Sequence, residues 1–122
     1  LKTSKILVDG CHSDVSTKNL AKYLKKFDIP IYGIWGSLKN KNPEKLIKNF
    51  KGIFKKIVTI KIPDERNALS SKILFKIAKK NGFISQNSKD LRDALKKFPQ
   101  NKKKLIVIFG SLYLAGYVLS IN

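Results

Sequence analysis

Short apolar runs alternate with stretches of helical spacing about five times along the chain, and this order sharply limits the folds open to it. Residues 5–9 read as a buried strand. Residues 15–27 follow with Leu20, Leu24 and Phe27 on one helical face, Ala21 beside them, and most lysines outside it. Asp28-Ile29-Pro30 ends that helix, and Ile31 to Trp35 makes a second strand closed by Gly36. Asn42-Pro43-Glu44 is a helix start, with a capping side chain, Pro at the first helical position and an acid in the first turn. Helical spacing then runs through Leu46, Ile47, Phe50, Ile53 and Phe54. Lys56 to Ile62 reads as a third strand and residues 63–67 as a loop. A helix capped by Ser70 or Ser71 turns Ile73, Leu74, Ile77 and Ala78 inward and stops at Asn81-Gly82. Phe83 to Ser85 is a short strand. A helix from Ser88 is barred from continuing by Pro99. Leu105 to Phe109 is the last strand, and Leu112 to Leu119 the last helix. The expectation is an α/β fold: a mostly parallel sheet of five to six strands with helices on both faces.

The length of 122 residues fits a single domain, 1–122, and 43% hydrophobic residues suffice for a core despite a net charge of +18. The chain starts at Leu1 with no Met and no signal pattern, and a start in the approach to a strand suggests a piece of a longer protein. Cys11 is the only cysteine and His12 the only histidine, so an internal disulfide and a Cys-rich metal site are excluded. Nearly all the basic residues are Lys; Arg occurs only at Arg66 and Arg92. Lys, Ile and Asn share A/T-rich codons, and the lysines are spread along every helix. The charge therefore reads as a solvated, Lys-biased surface. The competing reading is a standalone basic module for nucleic acid or another polyanion. The charge-free run Leu105 to Ile121 resembles a membrane anchor, but it is at the short limit for a span and Gly110-Ser111 breaks it.

In parallel sheets, the residues just past the carboxyl ends of strands form the ligand crevice. Two turns of this chain carry chemistry there. In the first, Asp9 ends a strand and His12 follows three residues on, with Gly10 permitting a tight turn between them. Asp9 there is suited to ribose hydroxyls and His12 to a base, phosphate or carboxylate. Equally, Asp9 reads as a helix cap and His12 as a surface residue. In the second, Ser111 follows Gly110 at a helix N-terminus, either as an anion contact or as a plain cap. A third turn, Gly36 to Asn42, offers Lys39 and Lys41 to an anion or is a solvated loop. Cys11 reads as a small buried residue; a reactive Cys–His pair does not follow from adjacency.

Taken together, these segments resemble one family. Asp9-Gly10-Cys11-His12-Ser13 is similar to an Asp-Gly-Ala-His-Asn-Pro motif, and Gly36-Ser37-Leu38-Lys39-Asn40-Lys41-Asn42 to a Gly-x-Leu-x-Asp-Lys-Asp segment. Gly110-Ser111-Leu112-Tyr113-Leu114-Ala115-Gly116 is similar to a closing Gly-Ser-Leu-Tyr-Leu-Val-Gly, and Pro63 to Leu69 lies where a Pro-Arg-x-Ala often stands. The chain thus resembles the C-terminal domain of the folylpolyglutamate synthase / dihydrofolate synthase family, within the Mur ligase superfamily. The resemblance implies a Rossmann-like domain of a cytoplasmic, monomeric, ATP-dependent amide ligase. Such an enzyme adds L-glutamate to dihydropteroate or folate through an acyl phosphate, assisted by Mg²⁺. It implies that Asp9 and His12 meet the nucleotide, that His12 and Ser111 are catalytic, and that Ser111, Lys41 and Arg66 bind substrate. It also implies that the metal and the ATP phosphates are held by an N-terminal ATPase domain. No Gly-x-x-x-x-Gly-Lys-Ser/Thr loop occurs in these residues, so the chain alone is expected to be inactive. Ser13-Asp14 in place of Asn-Pro, and Asn40 and Asn42 in place of two acids, depart from the family pattern.

Overall fold

Residues 4–121 are described by a computed structural model. Five strands form one wholly parallel sheet in the order β1-β5-β2-β3-β4. They are β1 Ser4–Asp9, β2 Ile31–Trp35, β3 Lys56–Thr59, β4 Ser85–Asn87 and β5 Lys104–Phe109. The helices between and after them are α1 Asp14–Leu24, α2 Pro43–Ile47, α3 Ser71–Lys80, α4 Leu91–Leu95 and α5 Leu112–Ser120.

The alternation of β5 shows why both faces must be covered. Leu105, Val107 and Phe109 pack with Leu20 and Leu24 of α1, Ile47 of α2 and Leu74 and Ala78 of α3. Ile106 and Ile108 pack with Leu91 and Ala94 of α4 and Leu114 and Val118 of α5. All six β5 residues are buried, as a strand flanked by helices on both sides requires. The first three connections step in one direction across the sheet, so right-handed crossovers put α1, α2 and α3 on one face. The α4 connection steps back from β4 to insert β5 between β1 and β2, and it lies on the other face. Aromatic packing anchors the centre: Phe50, Phe54 and Trp35 surround Phe109 at ring-centroid distances of 4.9, 5.1 and 6.3 Å.

Several local expectations are corrected. Asn42 does not cap α2: its φ is +47, in the left-handed region, and its side chain makes no cap bond, because a cap needs extended backbone to bring the side-chain oxygen onto the open N–H groups. Helix α2 is one short turn that tightens into a 3₁₀ turn, Lys48–Phe50. Strand β3 stops at Thr59; Ile60 and Ile62 stay buried by packing beyond the paired ladder. Ile73 is 47% exposed, since Leu74 and Ala78 alone define the buried stripe of α3. Strand β4 lies two residues later than expected, and Asp90 rather than Ser88 caps α4; Ser88 is buried and bonds the Asp93 carboxylate. The charge-free C-terminal run divides into buried β5 and a nine-residue helix. Among the described residues no helix is long and apolar enough to cross a membrane.

Three carboxylates are held by hydrogen bonds: Asp14 and Glu44 link separate elements, and Asp93 braces the start of α4. Hydrogen bonds from Lys18 and Asn49 hold the Asp14 carboxyl below its ordinary 3.8. Those from Lys80 and Asn81 hold Glu44 below 4.5, and those from Ser88 and Lys97 hold Asp93 below 3.8. Groups depressed in the folded state contribute stability above their unfolded pKa and lose it as pH falls through the folded value. The urea midpoint is therefore expected to be flat from neutral pH to about pH 5 and to fall below about pH 4.5. A midpoint unchanged at pH 3 would show that these contacts contribute nothing.

Candidate functional site

The crevice follows from the strand order. β5 lies between β1 and β2, yet the chain leaves β1 and β2 toward one face and leaves β5 toward the other. Such a reversal opens a ligand crevice at the carboxyl edge. The three strands end together: Asp9 pairs with Phe109, and Phe109 with Trp35. The turns after β1, β5 and β2 therefore stand side by side.

In the β1 turn, Asp9 Oδ1 accepts the Cys11 N–H at 2.8 Å, a side-chain-closed turn that leaves the second carboxylate oxygen without a partner among the described residues. Asp9 is not the cap of α1. Ser13 is: its hydroxyl accepts from Ser16 N–H, and the Ser16 side chain accepts in return from the Ser13 backbone. The His12 ring is half-buried and its Nδ1 lies 3.0 Å from the Gly10 carbonyl. The carbonyl can only accept, so Nδ1 carries a hydrogen and Nε2 is the atom left to meet a ligand. Cys11 is buried, and burial next to Asp9 pushes its thiol up to about 12, so it is protonated and not a nucleophile.

Ser111 is 2% exposed, and its Oγ accepts from Tyr113 N–H at 3.0 Å. It is the N-cap of α5, and its own hydroxyl hydrogen remains to be donated. Gly110 before it has φ +117, and a Cβ there would lie 2.1 Å from the Gly36 carbonyl. Gly10 also packs closely on α5, where a Cβ would meet the Leu112 side chain at 2.6 Å. The β1 and β5 turns are thus in direct contact.

Asp9, His12 and Ser111 come to the adjoining ends of β1 and β5. Lys41 and Arg66 lie farther along the same edge, in the segments after β2 and β3. Lys41 is half-buried on its turn. Arg66 is exposed and lines an open cleft of about 570 Å³ with Lys61, Asp64, Lys89, Asp90 and Tyr117. Lys89, Asp90 and Tyr117 were not legible as cleft residues, because only the fold brings α4 and α5 to the loop after β3. Among the described residues no group of three His, Cys, Asp or Glu could hold a metal ion.

Three of the four departures from the family pattern have local reasons, and nothing in the structure explains Asn40. Ser13 supplies the cap of α1, and Asp14 supplies its first-turn acid. Asn42 occupies the left-handed region, which Asn tolerates better than most residues.

The sheet order, the crevice and its polar turns define a class: parallel α/β domains that meet a ligand beyond the carboxyl ends of their strands. The chain belongs to the family described as dihydrofolate synthetase, C-terminal domain, whose profile matches residues 1–121. Solved structures agree on the fold. The folylpolyglutamate synthase of Mycobacterium tuberculosis complexed with ADP and AMPPCP superposes with a TM-score of 0.85 at 21% identity, covering 95% of this chain and 29% of that one. The folylpolyglutamate synthase of Thermotoga maritima gives 0.80 at 26% identity, covering 93% and 26%. The bifunctional folylpolyglutamate synthase/dihydrofolate synthase of Yersinia pestis, complexed with AMPPNP and a Mn ion, gives 0.79 at 13%, covering 95% and 28%. The chain therefore spans less than a third of the length of these proteins. A comparison with curated proteins finds no match.

Proposed function

We propose that this chain is the glutamate-side domain of an ATP-dependent amide ligase that joins L-glutamate to dihydropteroate, folate or both. The observation that carries the reading is the close approach of Gly10 in the β1 turn to Leu112 at the start of α5, and of Gly110 to Gly36, at the β1/β5 reversal, in a chain whose residues 1–121 match the family. The preceding part of the polypeptide would supply the ATPase domain, in a monomeric, cytoplasmic enzyme with no specific nucleic-acid partner.

The donor set suits part of such a site. The unused Asp9 oxygen can accept ribose hydroxyls, and His12 Nε2 can face the nucleotide or the reacting phosphate. The Ser111 hydroxyl can donate to the incoming glutamate or the acyl phosphate. Lys41 and Arg66 can pair with substrate carboxylates. Among the described residues no cluster of three His, Cys, Asp or Glu could cage a metal ion, which fits Mg²⁺ being held mainly by the ATP phosphates and the preceding domain. ATP, when bound, supplies the phosphoryl group that activates a folate carboxylate as an acyl phosphate, and Mg²⁺ offsets its charge. The domain's own residues orient the nucleotide and exclude water while the glutamate amine displaces phosphate.

The test is ATP-dependent incorporation of labelled L-glutamate by the full-length polypeptide, with dihydropteroate and folate as acceptors. Incorporation is expected with at least one acceptor, and none from residues 1–122 alone. Without incorporation on either acceptor, the reading fails.

A further inference from the structure

We propose that Asn49 is a positioning residue for His12: from the 3₁₀ turn after α2 it holds the first turn of α1, to which the His12 backbone is bonded. This rests on the ligase reading above, in which His12 meets the nucleotide. The tie joins segments distant in sequence. Asn49 Nδ2 donates to Thr17 Oγ1 at 2.8 Å and to Asp14 Oδ1 at 3.1 Å, one amide hydrogen for each.

Thr17 is buried and passes the grip to the backbone. Its one hydroxyl hydrogen is shared between the Ser13 carbonyl at 2.9 Å and the Asp14 carbonyl at 3.0 Å. Ser16 Oγ in turn accepts the His12 N–H at 3.1 Å and the Ser13 N–H at 3.0 Å. The peptide on each side of Ser13 is thus anchored to α1, and α1 is anchored to Asn49. The His12 ring has one hydrogen bond among the described residues, to the Gly10 carbonyl of its own turn. That bond orients the ring within the turn. Asn49 fixes where the carboxyl half of the turn stands against the rest of the fold.

The tie also accounts for a departure in sequence. Pro stands in the family pattern where this chain has Asp14, and a proline ring at the first helical position fixes φ covalently. Asp14 lacks that restraint. It carries instead the carboxylate that Asn49 and Lys18 hold, the latter at 2.9 Å. Ser13 before it is extended, at φ −125 and ψ 164, which is also the conformation a proline demands of the residue before it. The first N–H groups of a helix have no partner within it, so a ring at position 14 costs no helical bond. Hydrogen bonds from Asn49 do here what the ring does there.

The test is titration calorimetry of ATP into the full-length polypeptide and its variants, with glutamate addition assayed separately. Asn49→Ala is expected to raise the Kd for ATP about tenfold, the scale of one or two neutral hydrogen bonds lost. Adding Asp14→Pro should recover most of that loss while restoring neither Asn49 bond, a rescue that a general loss of stability does not give. In a His12→Ala background, Asn49→Ala should leave the Kd unchanged, because no imidazole remains to be placed. An unchanged Kd in Asn49→Ala, or an equal loss with and without His12, would overturn the role. So would a loss that Asp14→Pro fails to recover. If the unaltered polypeptide binds ATP but adds no glutamate, the ligase reading fails while the calorimetric comparison still decides the role of Asn49. If it binds no ATP, both fail.

Discussion

Asp9→Ala in the full-length polypeptide is expected to lower kcat/KM for ATP by about 10- to 150-fold, equivalent to one hydrogen bond to a charged group worth about 1.5–3 kcal/mol. One oxygen of Asp9 builds the turn, and the other makes no hydrogen bond among the described residues. Alanine removes both, so the turn also loses the acceptor of the Cys11 N–H. Asp9→Asn separates the two roles, because its amide oxygen can keep the bond to Cys11 while the charge is gone. D9N should retain the melting temperature of the unaltered protein yet show a raised KM for ATP. Steady-state kinetics with ATP varied at saturating glutamate and folate measures this. If D9A leaves the KM for ATP and the rate of glutamate addition unchanged, Asp9 has no part in the site.

The second large effect concerns the fold and the site together. Gly110→Ala should destabilise the domain by about 3 kcal/mol or more, which lowers the melting temperature by about 10 °C or more in a domain of this size. Gly110 has φ +117, a region that side chains rarely adopt. The clash is with backbone: a Cβ would stand 2.1 Å from the Gly36 carbonyl and 2.7 Å from the Trp35 ring. Neither neighbour can retreat cheaply. Gly36 is held by its N–H to the Phe109 carbonyl at 3.2 Å, and Trp35 is 2% exposed and stacked near Phe109. Gly82→Ala is a useful control, since it too has positive φ but no atom lies within 4 Å of a Cβ there. It should cost conformational strain alone. Thermal melts that place G110A within about 2 °C of the unaltered protein would refute the clash.

Much of the fold was legible because the signals were local. Ile31 to Trp35 is a continuous apolar run between Pro30 and Gly36, and it is strand β2 to the residue. The stop of α3 at Asn81-Gly82 is equally plain, with Gly82 at φ +88. The errors came where burial outlasts pairing or where two local rules conflict. Ile60 and Ile62 look like strand because they are buried, but β3 pairs β4 only through Ile57 to Thr59. Asn42 satisfies the composition of a cap, but its backbone adopts the left-handed region, which Asn tolerates, in place of the extended conformation a cap needs.

The site was legible as residue types and not as neighbours. The turn motifs marked Asp9, His12 and Ser111, but no spacing places β5 between β1 and β2. That insertion depends on non-local pairing, and without it the two turns would not touch. The roles left open by spacing divided in two ways. Ser111 is a cap, as its position after glycine allowed, while Asp9 is not, because Ser13 and Ser16 together close the start of α1. Arg66 illustrates the remaining gap: its loop was recognised, but the cleft it lines is made by α4 and α5, from distant parts of the chain.

The contact between Gly36 and Gly110 also has a mechanical consequence. The crossed backbone of the two turns, with one hydrogen bond and no side chain between them, works as a rivet. The ends of β2 and β5 then have almost no freedom to separate, and Gly10 against Leu112 brings the end of β1 into the same rigid block. A crevice with such walls does not widen by bending its own loops. On the ligase reading proposed above, the admission of substrate and the release of product are expected to come from displacement of the block as a whole.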